Sequence, residues 1–72
     1  MAREPLPQVA ANLRRAREAA GLSQVDLSQA SGVDLSHLNR IENARRDPTT
    51  TMLLRLARAL GTTPSALLEG IE

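Results

Sequence analysis

The chain has 72 residues, no cysteine, no aromatic residue and a formal charge of only +1, carried by nine basic residues against eight acids. That length is one domain, which buries only about 60% of its unfolded surface, so its core must come from the leucine, isoleucine, valine and alanine within its 42% of hydrophobic residues. A disulfide framework and a thiolate metal site are excluded, and no apolar run approaches the ~18 residues of a membrane span.

Taken in chain order, Met1–Leu6 is a short polar lead without a hydrophobic signal region. Leu6, Val9, Ala10, Leu13, Ala16 and Ala20 keep helical spacing, which predicts a first helix over Pro7–Ala20 stopped by Gly21. Ser23 caps a second helix, Gln24–Ser31, with Asp26 three residues on as a weak capping box and with Leu27 and Ala30 facing inward. Gly32 ends it, Val33 plugs the core, and Asp34 caps a third helix, Leu35–Asn43, which buries Leu38 and Ile41. Thr49 caps a fourth helix, Thr50–Leu60, with Leu53, Leu56, Ala57 and Leu60 inside and Arg55 and Arg58 on its outer face. Thr63 followed by Pro64 opens a fifth, Pro64–Glu69, which Gly70 closes. No segment alternates with period two, so the expected fold is all-α: five helices in one compact domain over residues 1–72.

The link Gly32-Val33-Asp34 between the second and third helices is a tight turn opened by glycine, the connection of a helix-turn-helix spanning about residues 23–43. Such a turn lets the second helix lie across a groove while the third projects its first turn outward. That turn carries Leu35, Ser36 and Asn39, with Arg40 just beyond. Asparagine pairs with adenine, arginine with guanine, serine with several acceptors, and leucine packs on a thymine methyl. All nine basic residues are arginine, and six fall in two clusters: Arg14, Arg15, Arg17 and Arg40, Arg45, Arg46. Arginine's planar fork suits phosphate, but solvated helix faces and a bundle whose third helix simply meets water give the same pattern. His37, the only histidine, lacks both the partners of a catalytic trio and the further ligands of a metal, and reads as an exposed residue beside a DNA strand. No catalytic site, metal or cofactor is expected.

LSQVDLSQASGV, DLSHLNRIENARRDP and LLRLARALGTTPSALLE together resemble the helix-turn-helix family of phage Cro and repressor proteins, the XRE family, over about Val9 to Glu69. The resemblance implies a lambda-repressor-like fold and binding to double-stranded DNA. It places Leu35, Ser36, Asn39 and Arg40 at base-reading positions and Gln24, His37, Asn43, Arg45 and Arg46 against the backbone. It pairs Arg17 with Glu42 as a structural tie between the first and third helices. The family commonly pairs through its end, which makes Leu67, Leu68 and Ile71 a candidate homodimer face and predicts a palindromic operator with half-sites one DNA turn apart. A cytoplasmic, nucleoid-associated regulator without a small-molecule ligand is the corresponding expectation. Restriction–modification controller, phage repressor and stand-alone regulator all fit it. The alternative is a protein-interaction module of the same fold, an antitoxin or adaptor.

Three departures from the family pattern matter. Ala44 stands where glycine is usual. A left-handed alanine costs about 1–2 kcal/mol, so the turn is expected to differ from the family's or to bend at Asn43 instead. Asp34 replaces serine or threonine, bringing a negative charge near a phosphate. Ser28 replaces alanine at a close helix crossing, a small-for-small exchange.

Overall fold

Serine, threonine and aspartate caps with glycine stops set the architecture of the computed structural model, which describes residues 6–71. The order is α1 (Leu6–Ala19), α2 (Gln24–Ser31), α3 (Leu35–Glu42), α4 (Thr50–Leu60) and α5 (Pro64–Leu67), and no strand occurs among the described residues. The lead up to Pro5 and the final Glu72 lie outside the described residues.

Each interhelical start has a side-chain acceptor. Ser23 Oγ accepts from the Asp26 amide while Asp26 Oδ2 accepts from the Ser23 amide, both at 3.0 Å, so the box at α2 is complete and reciprocal. Thr49 and Thr63 do the same one-sidedly for Met52 and Ala66. Gly32 and Gly61 end α2 and α4 at φ +76° and +69°, where a side chain would be strained.

The core is Val9, Leu13, Leu27, Val33, Leu38, Ile41, Leu56, Ala57 and Leu67, with Ala16, Leu22, Met52, Leu53, Leu60 and Ile71 packed against it. α1 packs on α3 and α5, α2 on α3 and α4, and α4 on α5. This holds α2 and α3 side by side with their N-termini on one surface.

Five expectations are corrected. α3 ends at Glu42, with Asn43 as its cap, rather than at Asn43. α1 begins one residue earlier and ends one earlier than predicted, with Pro7 inside its first turn, where the missing N–H costs nothing. Ala30 is exposed and Ser31 is buried instead, because Leu27 and Ser31, four apart, form the inner stripe of α2. Ala20 is also exposed. α5 ends at Leu67 rather than Glu69. The buried side chain of Asn12 explains that stop: its Nδ2 donates to the Leu67 carbonyl (3.0 Å) and the Glu69 carbonyl (2.8 Å), and its Oδ1 accepts from Gln8 (2.9 Å). α1 thus clamps the end of the fold through one polar residue.

The turn between α2 and α3 is pegged from α2. Ser28 Oγ donates to the Val33 carbonyl (2.6 Å), and the Val33 amide donates to Ser31 Oγ (3.1 Å). Ser28 is therefore more than a small residue at a crossing: its hydroxyl satisfies a carbonyl in the turn.

Candidate nucleic-acid interface

The N-terminus of α2 and the first two turns of α3 form the walls of one open groove lined by Ser23, Gln24, Val25, Asp34, Leu35, Ser36, Asn39 and Arg40. All four residues expected to read bases lie in that lining. Leu35 and Val25 are 40% and 48% exposed, so the groove has apolar surface beside its polar lining residues. Val25 was not expected there. It follows Gln24 on the outer face of α2, and only the packing of α2 against α3 aims it at the groove.

Ser36 is less free than its position suggested. Both its amide (3.1 Å) and its hydroxyl donate to Asp34 Oδ2. Its hydroxyl proton is committed to the cap, leaving the oxygen as an acceptor. The same bonds, hydroxyl first and amide second, hold the Asp34 carboxyl below its ordinary value, so it is an anion at the groove edge. Asp26 is held low in the same manner by the amide and hydroxyl of Ser23.

Behind the groove, Glu42 is 1% exposed and fully occupied. Arg17 grips it with a fork: Nε to Oε2 at 2.7 Å and one terminal nitrogen to Oε1 at 2.9 Å, while the other reaches the Leu22 carbonyl at 2.9 Å. The hydrogen bonds to Glu42 raise the Arg17 guanidinium above its ordinary value, outweighing partial burial. Arg14 donates to the Glu42 main-chain carbonyl (2.7 Å), at the negative end of α3. Two arginines of the first basic cluster are therefore spent on one glutamate, and that cluster is no free anion footprint. Arg15 alone of the three lacks this tie and is exposed.

From Glu42 a line of amides runs outward. Gln24 Nε2 donates to Glu42 Oε1 (3.1 Å), Asn39 Nδ2 donates to Gln24 Oε1 (3.2 Å), and Asn43 Nδ2 donates to Asn39 Oδ1 (3.2 Å) and to the Asn39 carbonyl (2.8 Å). Sequence spacing placed these residues on neighbouring helices but carried no sign of the chain between them.

Beyond α3, Ala44 takes the left-handed conformation at φ +58° while Asn43 stays at −99°. The expected departure is thus corrected: the turn keeps the left-handed geometry with an alanine in it, and Asn43 does not bend. The Ala44 amide donates to the Ile41 carbonyl (3.1 Å) and the Arg45 amide to the Arg40 carbonyl (2.9 Å), closing the helix end. Arg45 and Arg40 are exposed; Arg46 is half-buried, and its Nε has no partner. His37 is half-buried rather than exposed, because α3 turns that side partly inward beside Leu38.

At the other end, Leu67 is 1% exposed and belongs to the core, which removes it from the expected dimer face. Leu68 is 38% exposed, and Ile71 is half-buried against the core. Among the described residues no group of three His, Cys, Asp or Glu side chains could hold a metal, and no helix is long and apolar enough to cross a membrane.

Comparison with known proteins bears on this geometry. A helix-turn-helix family model matches residues 13–67. The HTH-type transcriptional regulator y4dJ of Sinorhizobium fredii is 40% identical over 53 residues, covering 74% of this chain and 69% of that protein. A second regulator of the same organism, y4dL, is 46% identical over 48 residues, but this chain spans only 24% of its length. Among solved structures, the restriction-modification controller protein C.AhdI from Aeromonas hydrophila superimposes with a TM-score of 0.83 at 37% identity, over 86% of this chain and 94% of that one. With its five helices, capped turn and exposed third helix, the chain belongs to the helix-turn-helix family of Cro/repressor-type (XRE) transcriptional regulators.

Proposed function

We propose that this helix-turn-helix domain reads a specific sequence in double-stranded DNA, with α3 in the major groove, and acts as a homodimer on a palindromic operator. The observation that carries the reading is the groove itself: Gln24, Leu35, Asn39 and Arg40 share one open surface at the paired N-termini of α2 and α3. Arg40 suits a guanine edge, Asn39 an adenine edge, and the apolar surface of Leu35 and Val25 a thymine methyl. Ser36 contributes an acceptor. Gln24 retains a second N–H for phosphate or a neighbouring base, and Asn43, Arg45, Arg46 and His37 face the strand past the helix. The ionised Asp34 disfavours close approach of phosphate at the start of α3, so backbone N–H contacts fall mainly to the start of α2.

Pairing is supported by two considerations. One such module touches few bases, and Leu68 with the open flank of Ile71 offers apolar surface at the end opposite in sequence to the reading helix. Two-fold pairing would set the reading helices roughly 34 Å apart. The proposed setting is cytoplasmic, with the protein on the nucleoid when bound. The second reading is a protein-interaction module of the same fold, an antitoxin or adaptor; the exposed Leu54 and Leu68 favour it.

Selection of bound duplexes from a random-sequence library at physiological salt tests the proposal. The expected product is a palindrome with half-sites about one turn apart. No enrichment, with binding that falls steeply as salt rises, would mean that phosphate is held and nothing is read, and the interaction-module reading would replace this one.

A further inference from the structure

We infer that Glu42 is a positioning residue for base recognition: it sets the donor–acceptor polarity of the amide line Gln24–Asn39–Asn43 and so determines which base edge Asn39 accepts. The inference rests on the DNA-reading proposal above. Its basis is directional. A carboxylate offers only acceptors, and Arg17 donates to both oxygens of Glu42. Gln24 must therefore turn its Nε2 inward to Glu42 Oε1 (3.1 Å), which turns its Oε1 toward Asn39. Asn39 must answer with Nδ2 (3.2 Å), and its Oδ1 then receives Asn43 Nδ2 (3.2 Å). Reversing Gln24 or Asn39 sets oxygen against oxygen on one side and N–H against N–H on the other.

The line is buried at its root and exposed at its tip. Glu42 is inside the protein, Gln24 is half-buried, and Asn39 and Asn43 are exposed. At Asn39 one N–H and one lone pair are used within the line. One N–H and one lone pair remain, fixed in place and order. Adenine offers the matching pair in the major groove, an acceptor at N7 and a donor at N6, whereas guanine offers two acceptors. An amide free to turn over would also accept edges of the opposite order, so the line narrows what Asn39 tolerates. In this account the buried glutamate, which touches no base, contributes to sequence preference.

The test is duplex selection with the full chain and three variants. Asn39→Ala marks the operator column that Asn39 reads. Gln24→Met cuts the line while leaving the Arg17–Glu42 pair intact. Glu42→Gln replaces the acceptor-only root by an amide, whose nitrogen at the Oε1 position meets both Gln24 Nε2 and one Arg17 nitrogen. Thermal unfolding by circular dichroism identifies the variants that fold; where Glu42→Gln does not, Gln24→Met decides alone. The expected result is that adenine preference in the marked column falls by roughly fivefold or more in Gln24→Met, while any loss of a base contact made by Gln24 itself falls in a neighbouring column. Folded Glu42→Gln shows the same loss or a changed base. Loss of a phosphate contact alone would weaken every sequence alike and leave the ratio in that column as it was. Preference in that column that survives Gln24→Met overturns the inference and leaves the DNA-reading proposal standing, as does an Asn39→Ala profile identical to the parent. A parent protein with no preferred base at any column overturns the DNA-reading proposal, and the inference with it.

Discussion

Replacing Ala44 by glycine should stabilise the protein although it removes a methyl group. Ala44 is the only non-glycine residue with positive φ among those described, at +58°. An alanine held there costs about 1–2 kcal/mol relative to a residue without Cβ. Glycine also gains freedom in the unfolded chain, which offsets about 0.4–1 kcal/mol of that relief. The midpoints of the two ranges leave a net gain of about 0.8 kcal/mol. The amide bonds from Ala44 to Ile41 and from Arg45 to Arg40 involve only main chain and survive the change. For a chain of this length, such a gain raises the melting temperature by roughly 2–8 °C. The assay is urea and thermal unfolding followed by circular dichroism, with Ala44→Val as the opposing control. β-branching makes the left-handed conformation worse, so that variant should melt below the parent. If Ala44→Gly is neutral or destabilising, the strain assigned to this turn is absent.

Other outcomes follow from the same geometry. Asn12→Ala leaves the Leu67 and Glu69 carbonyls without their donor; it should cost about 1–3 kcal/mol, and amide hydrogen exchange should show α5 loosening before the rest. Arg17→Ala strands the buried Glu42 carboxylate and should cost about 3–5 kcal/mol, enough to abolish a cooperative urea transition in a protein near the lower end of ordinary stability. Asp26 and Asp34 titrate below their unfolded value when folded, so their caps contribute fully above that value, about pH 3.9, and are lost as pH falls through the lower folded values. Stability should therefore decline on that acid limb, and Asp34→Asn should flatten part of the decline in a melting-temperature series against pH. Finally, Arg40→Ala should lose about 1–3 kcal/mol and relax preference at one base position, whereas Arg46→Ala should weaken all sequences alike and flatten the salt slope; equal loss of selectivity from both would refute that division.

Local chemistry made much of this fold legible. Caps at Ser23, Asp34, Thr49 and Thr63 and stops at Gly32 and Gly61 mark the ends of α2 and α4 and the starts of α2 through α5, because capping is decided within a turn. Leu38, Ile41 and Leu56 followed from period alone. What was hidden depends on residues far apart in the chain. The early end of α5 comes from Asn12, more than fifty positions away. The engagement of Arg14 and Arg17 depends on α1 crossing the end of α3, so a basic cluster that looked like an anion footprint is half internal. Leu67, expected with Leu68 and Ile71 at a dimer face, is assigned to the core by packing. At the site, the residue types lining the groove could be named from α2, the turn and α3, but the direction of the amide line could not. It depends on Glu42 offering only acceptors to Gln24, whose Nε2 shares Oε1 with Arg17.

The central claim, that α3 enters the major groove, is tested most directly by methylation interference on the selected duplex. Dimethyl sulfate modifies guanine at N7 in the major groove and adenine at N3 in the minor groove. The account predicts that N7 methylation within each half-site blocks binding, in two patches about one helical turn apart, while N3 methylation there is tolerated. Interference confined to adenine N3, or none within the half-sites, would contradict it.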